Sequence, residues 1–400
     1  MPVTIVANAK VFGDLKVSLT SEFEWRWNDK GTGSSRDGAF WHPRGVDEMR
    51  PLGSVIAPGY WDISNTWAAL LVGPAHPEIW PPPVAPPWQY KEIFNYSTAD
   101  ASIILWQPIP PVGYVALGIV ATQSGKWPSN DRNRPDIWCL REDLVAPGKF
   151  EERCTWDTWG GRLPPMSFWH VHPRFDGISL SDGQFPILAG TFWINNGGWD
   201  QPDIENARVP LLKATPVSTP RVLPDLTLDE IPTQLDRWGV PPSPFVKAEM
   251  LCAQTYVPLT AFFAAGDRRV LDRVRDPFFS IRLYRTWTAE KFTHVGPSGG
   301  NAAFDTKRPP SGGRSDSPLT IDATNGLKLH SSGASFNSPL GIDLERDVVG
   351  RGSLNMPPNS VVVLWKQDFR TEVRLGGDDG PVVDTGIPSW YSRCYTVLKK

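Results

Sequence analysis

No stretch of this chain approaches the ~18 consecutive apolar residues of a membrane-spanning helix, although 40% of its residues are hydrophobic. The folded chain is therefore expected to be soluble, and any action on a membrane to require a change of conformation. Runs of Lys and Arg are missing too. The 40 basic and 43 acidic residues are spread over 400 positions and leave a net charge of −3, without the basic face that nucleic-acid binding uses, so nucleic acid is excluded as a partner. Cysteine is scarce: Cys139, Cys154, Cys252 and Cys394 form neither a CxxC pair for zinc nor a disulfide framework, and are read as reduced. The start, Met1-Pro2-Val3-Thr4-Ile5-Val6, lacks the basic segment and apolar core of a secretory signal. Synthesis in the cytoplasm is expected, with no Sec export and with release by another route left open.

Catalytic signatures are absent as well. No nucleophile elbow, phosphate-binding loop, HExxH helix or dinucleotide fingerprint stands in a strand-turn-helix context, so the expectation is a protein that is not an enzyme, with no catalytic residues and no cofactor. His170 and His172 alternate and would share one face of a strand with Asp176 nearby, but without a third histidine no metal is expected.

What the chain has in quantity is Pro, Gly and Trp: 41, 35 and 19 residues. Pro stands at about twice its ordinary ~5% usage. Punctuation that frequent leaves room for short strands and turns, so the fold class is all-β. The strands repeat. An aromatic stretch, a polar turn, a strand ending in Trp and then a Pro recur at Trp41, Trp106 and Trp169, 65 and 63 residues apart. The copies begin at Phe23, Tyr90 and Phe150. Leu52-Gly53 and Leu117-Gly118 each follow their Trp by 11 residues, and the third copy reaches Leu188-Ala189-Gly190 after an insertion. Each copy offers three or four short strands whose aromatic faces cannot be buried alone. Three such sheets closing round a common axis make a threefold β-prism-like domain, which also removes exposed sheet edges. Identical positions place Trp41, Trp106 and Trp169 in the core that closes the prism. Val11, Leu15, Val17 and Leu19 alternate as one strand face, which is expected to join the first sheet.

The stretches Trp106-Gln-Pro-Ile-Pro-Pro-Val-Gly-Tyr114-Val-Ala-Leu-Gly118 and Cys139-Leu-Arg-Glu-Asp-Leu-Val145 resemble the vacuolar-protein-sorting-62-related family, over roughly residues 20 to 200. The family's hallmark is a Trp-x-Pro-x-Pro-x-Gly-Tyr-x-x-Leu-Gly stretch. The first copy departs from it, with Arg44-Gly-Val-Asp-Glu-Met-Arg50 in place of the Pro-Pro-x-Gly-Tyr segment. The family's name implies trafficking.

Seven prolines between Ala214 and Phe245 read as a semi-extended connector. The expected organisation is a Trp-rich domain over 1–213, a linker over 214–245 and a β-rich module over 246–400. Only four of the Trp residues follow Trp199. In the second half Phe279, Ile281 and Leu283 alternate against Ser280, Arg282 and Tyr284, and Ser360-Val-Val-Val-Leu-Trp365 has the apolar run of a buried strand. Around Asn325-Gly326, a three-residue loop pairs Ala323 with Leu327 and Ile321 with Leu329. That register puts Leu319, Ile321, Ala323, Leu327 and Leu329 on one face. The order of an Asp-Pro-aromatic stretch, an alternating strand, a Ser/Gly-rich hairpin region, Pro-Pro-x-x-Val-Val-Val-Leu-Trp and a Tyr-rich last strand resembles aerolysin-like pore formers and binary mosquitocidal toxins.

Two sets of residues follow as candidates. Carboxylates and Gly amides of the polar turns, Asp29, Gly31, Gly33 and Asp37 in the first copy and Asp157, Gly160 and Gly161 in the third, suit sugar hydroxyls and are the expected glycan site. Lys307, Arg308 and Arg314, in the Gly/Ser/Pro-rich stretch before the 319–329 hairpin, are the expected sites of proteolytic activation. The function expected is that of a non-enzymatic defence or insecticidal-type pore former. A lectin-like head would bind a cell-surface glycan or glycoprotein, and the C-terminal module would act on the membrane after a conformational change, as a homo-oligomer when active. The alternative is a lectin-like or trafficking adaptor that perforates nothing.

Overall fold

With Pro and Gly at this frequency, the chain builds strands joined by turns. The computed structural model describes residues 9–97, 102–174, 184–213, 217–218, 226–258, 278–305, 320–322, 328–330, 351–375, 382–386 and 391–399, and among them there is no α-helix.

Each copy contains six strands, five of them common to all three, rather than three or four. The first contains β1 (Lys10–Phe12), β2 (Leu15–Thr20), β3 (Phe23–Asn28), β4 (Ala39–Pro43), β5 (Val55–Ala57) and β6 (Ala69–Pro74), where β1 is an extra strand outside β2. The second contains β7 (Val84–Ala85), β8 (Gln89–Ser97), β9 (Ser102–Ile109), β10 (Tyr114–Val115), β11 (Val120–Thr122) and β12 (Cys139–Arg141). The third contains β13 (Val145–Phe150), β14 (Trp156–Asp157), β15 (Met166–Pro173), β16 (Gln184–Pro186), β17 (Phe192–Asn196) and β18 (Arg208–Lys213). In every copy the strand carrying the repeated Trp is central to an antiparallel sheet: β3-β4-β5, β8-β9-β11 and β14-β15-β17. The first and last strands of each copy pair with each other, as β2-β6, β7-β12 and β13-β18. The Leu15, Val17 and Leu19 face is buried as its alternation requires, but β2 pairs with β6 and not with the Trp sheet, and Val11 is exposed.

The registers align the copies. Trp41 faces Val55, Trp106 faces Val120 and Trp169 faces Trp193. Two positions earlier stand Gly53, Gly118 and Thr191, so the third copy's equivalent of the Leu-Gly glycine is Thr191 and not Gly190. Sterics explain the difference. A Cβ on Gly118 would lie 2.6 Å from Thr191 Cβ, and one on Gly53 would lie 3.0 Å from Thr191 Cγ2 and 3.2 Å from Gly118 Cα. The axis has room for one side chain, and Thr191 fills it while its hydroxyl donates to the Leu117 carbonyl at 2.5 Å. Backbone bonds cross between copies at this level, from Ser54 N–H to Ile119 O (2.8 Å) and from Ile119 N–H to Phe192 O (3.2 Å).

The residues before the repeated tryptophans fill the shared core, joined there by Trp169 but not by Trp41 or Trp106. Phe40, Leu105 and Phe168 are fully buried in one cluster with Trp27, Trp156 and Phe192. Phe40 meets Phe168 and Phe192 with ring centroids 5.2 and 5.6 Å apart. Side chains alternate across a strand, so Trp41 and Trp106 point to the other face of their sheets. Trp41 and Trp106 are buried in small clusters of their own sheets, and Trp169 is buried opposite Trp193. In each copy the connection to the closing strand folds back over that outer face. The Tyr of the Pro-Pro-x-Gly-Tyr stretch is a clamp: Tyr114 donates to the Pro82 carbonyl at 2.7 Å, and β10 pairs with β12. In the first copy, Arg50 makes the equivalent bridge to Val72 without that motif.

The ends of this ring adjoin, with a Cβ on Gly13 falling 3.8 Å from Lys213 Cβ. Beyond it, β19 (Val217–Ser218) pairs with β20 (Phe245–Pro258), and residues 226–240 lie against the second sheet, where Leu226, Ile231 and Leu235 pack on Trp287, Phe292 and Trp365. That sheet is built from longer strands: β20, β21 (Phe278–Val295), β26 (Ser360–Leu375), β27 (Val382–Gly386) and β28 (Tyr391–Lys399). Between β21 and β26 lie β22 (Gly300–Asp305), β23 (Thr320–Asp322), β24 (Lys328–His330) and β25 (Arg351–Met356). The sheet order is β19-β20-β21-β26-β27, with β28 also on β26. Val361, Val363 and Trp365 are fully buried, as the apolar run requires. Farther along, Glu372 is buried among Arg374 (2.6 Å), the Tyr284 hydroxyl (3.3 Å) and Arg282 (3.8 Å). Phe12 of β1 stacks on Phe278 at 6.3 Å, and Lys10 sits 4.1 Å from the Tyr256 ring centre.

Gly118→Ala should destabilise the fold by about 1–3 kcal/mol through overpacking. With Thr191→Gly in the same chain the loss should be smaller than the sum of the two single changes. Chemical denaturation of the four chains reads the coupling, and strict additivity would refute the crowded axis.

A second prediction comes from the seam between the first two copies. Ala121 N–H donates to Ser54 Oγ (2.9 Å), whose hydroxyl donates to His42 Nδ1 (2.9 Å), and His42 Nε2 reaches the Asp136 carbonyl (3.4 Å). Burial, then the charge of Arg26, lowers the His42 pKa to about 3. The folded value lies below the unfolded one, so this stability is complete above pH ~6.5 and is lost as pH falls from there toward 3, at about 1.4 kcal/mol per pH unit. His42→Gln, which copies Gln107 of the second repeat, should flatten the melting temperature over that window.

Candidate functional site

Antiparallel pairing brings two loops of each copy to the same end of its sheet. The polar turn precedes the Trp strand, and the outgoing connection follows the strand paired with it. In the first copy these are residues 29–38 and 58–68; in the third, 158–165 and 197–207. The second copy's turn, with Asp100, lies outside the described residues.

The polar turns of the first and third copies are knitted together. Ser35 N–H donates to Trp159 O (2.9 Å) and Arg162 N–H to Thr32 O (2.9 Å), while Gly33 packs on Gly160 and Gly161. Such contact requires glycine: a Cβ on Gly161 would come within 3.0 Å of the Ser34 backbone. Gly31, Gly33 and Gly160 also have φ near +80°.

Of the seven residues expected to bind sugar, two are structural acids. Asp29 is buried, with one carboxylate oxygen accepting from Gly38 N–H (3.0 Å) and the other from Trp156 Nε1 (3.1 Å). Asp157 is buried too and accepts from Trp159 N–H (3.0 Å), with Arg36 3.5 Å from its second oxygen. Asp37 and Gly31 are exposed. Burial, then hydrogen bonds to Asp29 and Asp37, pushes the Tyr60 phenol up, and Lys30 Nζ lies 4.7 Å from the Tyr60 ring centre. Beside them Trp61 is 51% exposed. A carboxylate, an ammonium group and two aromatic rings thus share the open end of the first sheet.

Tyr60 and Trp61 escaped the sequence reading, yet a signal for them exists. Gly59-Tyr-Trp61, Gly125-Lys-Trp127 and Gly197-Gly-Trp199 are one Gly-x-Trp motif, lying 6, 7 and 6 residues past Val55, Val120 and Trp193. Each of its glycines has positive φ, at 131°, 76° and 123°. The repeat was aligned on its buried tryptophans, which hid the exposed set.

His170 and His172 share one face as expected and both meet Glu151, at 3.6 and 2.8 Å. Among the described residues no group of three or more His, Cys, Asp or Glu could hold a metal ion. Lys307, Arg308, Arg314, Leu319, Ala323 and Leu327 lie outside the described residues. Ile321 and Leu329 are directly opposite each other in the β23-β24 pair. No helix among the described residues is long and apolar enough to cross a membrane, which says nothing of strands.

Asp29→Ala should lower stability by a few kcal/mol, because it strips buried donors of their acceptor. Asp37→Ala should stay within about 0.5 kcal/mol. Thermal melting separates the two, and equal losses would contradict the assignment of Asp29 as structural and of Asp37 as an exposed member of the cluster.

A family model described as vacuolar protein sorting-associated protein 62 matches residues 5–238. No curated protein matches the chain. Among solved structures, GNIP1Aa from Chromobacterium piscinae is 20% identical with a TM-score of 0.38, over 49% of this chain and 37% of that one. The chain thus matches little more than a third of that protein's length. Cry35Ab1 is 11% identical with a TM-score of 0.22, over 76% of this chain and 85% of that one.

Proposed function

This chain belongs to the vacuolar protein sorting-associated protein 62 family, and from that premise we propose that it is a glycan-binding, membrane-acting protein of the pore-forming toxin type. In this reading the threefold domain over 1–213 recognises a cell-surface glycan, and the long-stranded module perforates the membrane as a homo-oligomer, without enzymatic chemistry. The Lys30, Asp37, Tyr60 and Trp61 cluster supports the first half of the reading: stacking against rings and hydrogen bonds to charged groups are the interactions that sugars offer.

The observation that carries the proposal is a nested hairpin. Strands β21 and β26 pair along their whole length, β22 pairs with β25 beyond them, and β23 pairs with β24 farther out. The strands of one arm, between Phe278 and Asp322, therefore pair in nested order with those of the other, between Lys328 and Leu375. Strands of 18 and 16 residues exceed the ~9–11 needed to cross a bilayer, and a closed barrel of such strands satisfies every backbone group in lipid. Both arms break at the same level. Gly299 has φ of 69° and Asn359 of 50°, and Gly296 O accepts from both their N–H groups (3.1 Å each). This joint is where the outer hairpin would swing during insertion, with Leu319, Ile321, Ala323, Leu327 and Leu329 entering lipid and cleavage at Lys307, Arg308 or Arg314 releasing it.

Full-length protein should release dye from liposomes bearing bound receptor glycans only after limited trypsin treatment, with the first cut at Lys307, Arg308 or Arg314 by mass spectrometry. The fragment 1–213, cut after β18, should melt cooperatively and bind without leakage. Glycan binding with no leakage or oligomers under any condition would leave the adaptor reading instead.

A further inference from the structure

The exposed tryptophans differ from the buried ones in what requires them. Closing a threefold core demands apolar residues at Phe40, Leu105 and Phe168, and covering each sheet demands Trp41, Trp106 and Trp169. Nothing in the fold demands an indole in solvent at Trp61, Trp127 and Trp199, which are 51%, 75% and 41% exposed. The copies have diverged around them. The Pro-Pro-x-Gly-Tyr clamp survives only in the second, and the axial glycine has become Thr191 in the third, yet Gly-x-Trp stands in all three.

We infer that the chain carries three saccharide subsites, one per copy, each using the ring of Trp61, Trp127 or Trp199 as its floor, so that a single chain binds clustered glycans multivalently. The inference rests on the glycan reading above and extends it from one cluster to three. Each ring is held by its own copy. Trp61 lies over Gly59, where a Cβ would collide with its ring. Trp127 packs at a tilt against buried Trp106 with centroids 4.5 Å apart, and Trp199 meets the exposed Trp159 edge-on at 4.6 Å. Positive φ at the leading glycine starts the turn that delivers the ring in every case. Each ring also has polar company: Lys30, Asp37 and Tyr60 in the first copy, Lys126 in the second, Asn195 and Asp200 in the third. Exposed rings beside charged and amide groups match a pyranose, whose C–H face stacks while its hydroxyls bond at the rim. A lipid surface is better served by one continuous apolar patch.

The subsites differ in their rims, so they differ in strength, and the first, with a carboxylate and an ammonium group, is the most complete. Avidity then arises from linkage. Three weak sites engaged together exceed one site by about 10²- to 10⁴-fold when their spacing suits the target.

The test uses the full chain, serum albumin decorated with many copies of mannose, galactose or N-acetylglucosamine, and the corresponding free methyl glycosides. Wild type should bind one of the albumins by that factor more tightly than the free glycoside, which should titrate to three per chain. Trp61→Ala, Trp127→Ala and Trp199→Ala should each remove one glycoside site and part of the avidity, and the triple variant all of both, with melting temperatures unchanged. Trp127→Leu, which keeps Trp106 covered but offers no aromatic face, should behave as Trp127→Ala does. One glycoside per chain, or dependence on a single tryptophan, would overturn the three subsites and leave the glycan reading standing. Wild type that binds no sugar probe would end both. Tryptophan-dependent partition onto plain phosphatidylcholine vesicles, without sugar binding, would replace saccharide by lipid.

Discussion

Three backbone segments meet at the axis of the N-terminal domain, and only one Cβ branch fits among them. Gly53 and Gly118 leave the space that Thr191 occupies. Everything outward depends on that approach. Hydrogen bonds pass from one copy to the next at this level, the aromatic layer of Phe40, Leu105 and Phe168 closes beside it, and each sheet is fixed in angle to the others. Exact threefold symmetry in sequence would fail here, because three threonines would collide and three glycines would leave a void and an unused acceptor at Leu117. The departure from the repeat is therefore what lets the repeat close.

Much of this was legible in the sequence because burial writes in periods. The spacing of Trp41, Trp106 and Trp169 marked the central strand of each sheet, the alternation of Leu15, Val17 and Leu19 marked β2, and the Ser360 to Trp365 run marked the core of the second sheet. Pairing partners were harder to read. That β2 closes on β6, and β13 on β18, depends on contacts 49 to 65 residues apart, which no local pattern encodes. All three repeated tryptophans are buried, as their identical positions require, but Trp41 and Trp106 pack in clusters of their own sheets, because a repeated position says that a residue is needed, and not on which side. The site shows the same limit. Asp29 and Asp157 carry the composition of a ligand turn, but each is consumed by groups from another loop. The true solvent-facing residues, Asp37, Tyr60 and Trp61, stood in plain sight as part of a second repeat that the first one masked.

The two halves answer the cost of exposed backbone in opposite ways. In the N-terminal domain, short strands wrap round an axis and the first and last strands of each copy pair with each other. In the second half, long strands lie side by side, and a charged group, Glu372, is buried at mid-sheet with two arginines and a tyrosine to hold it. A buried charge with several partners contributes little net stability, yet breaking it is costly. It therefore fixes register more than it adds strength, which suits a sheet whose 18-residue strand could otherwise slip.

The closeness of Gly13 to Lys213 bears on how such a ring is inherited. A ring whose entry and exit are neighbours behaves as a bead threaded on its host chain: it can be excised, moved or spliced into another polypeptide at one point without unthreading any strand. Its seam is also arbitrary, since the gap between the last copy and the first is bridged in space as the others are, so rotating the order of the copies would leave the bead's architecture unchanged. Such a part can be joined to another sheet as a unit, and the sheet that follows need only present an edge near one spot, as β20 does to Val217 and Ser218.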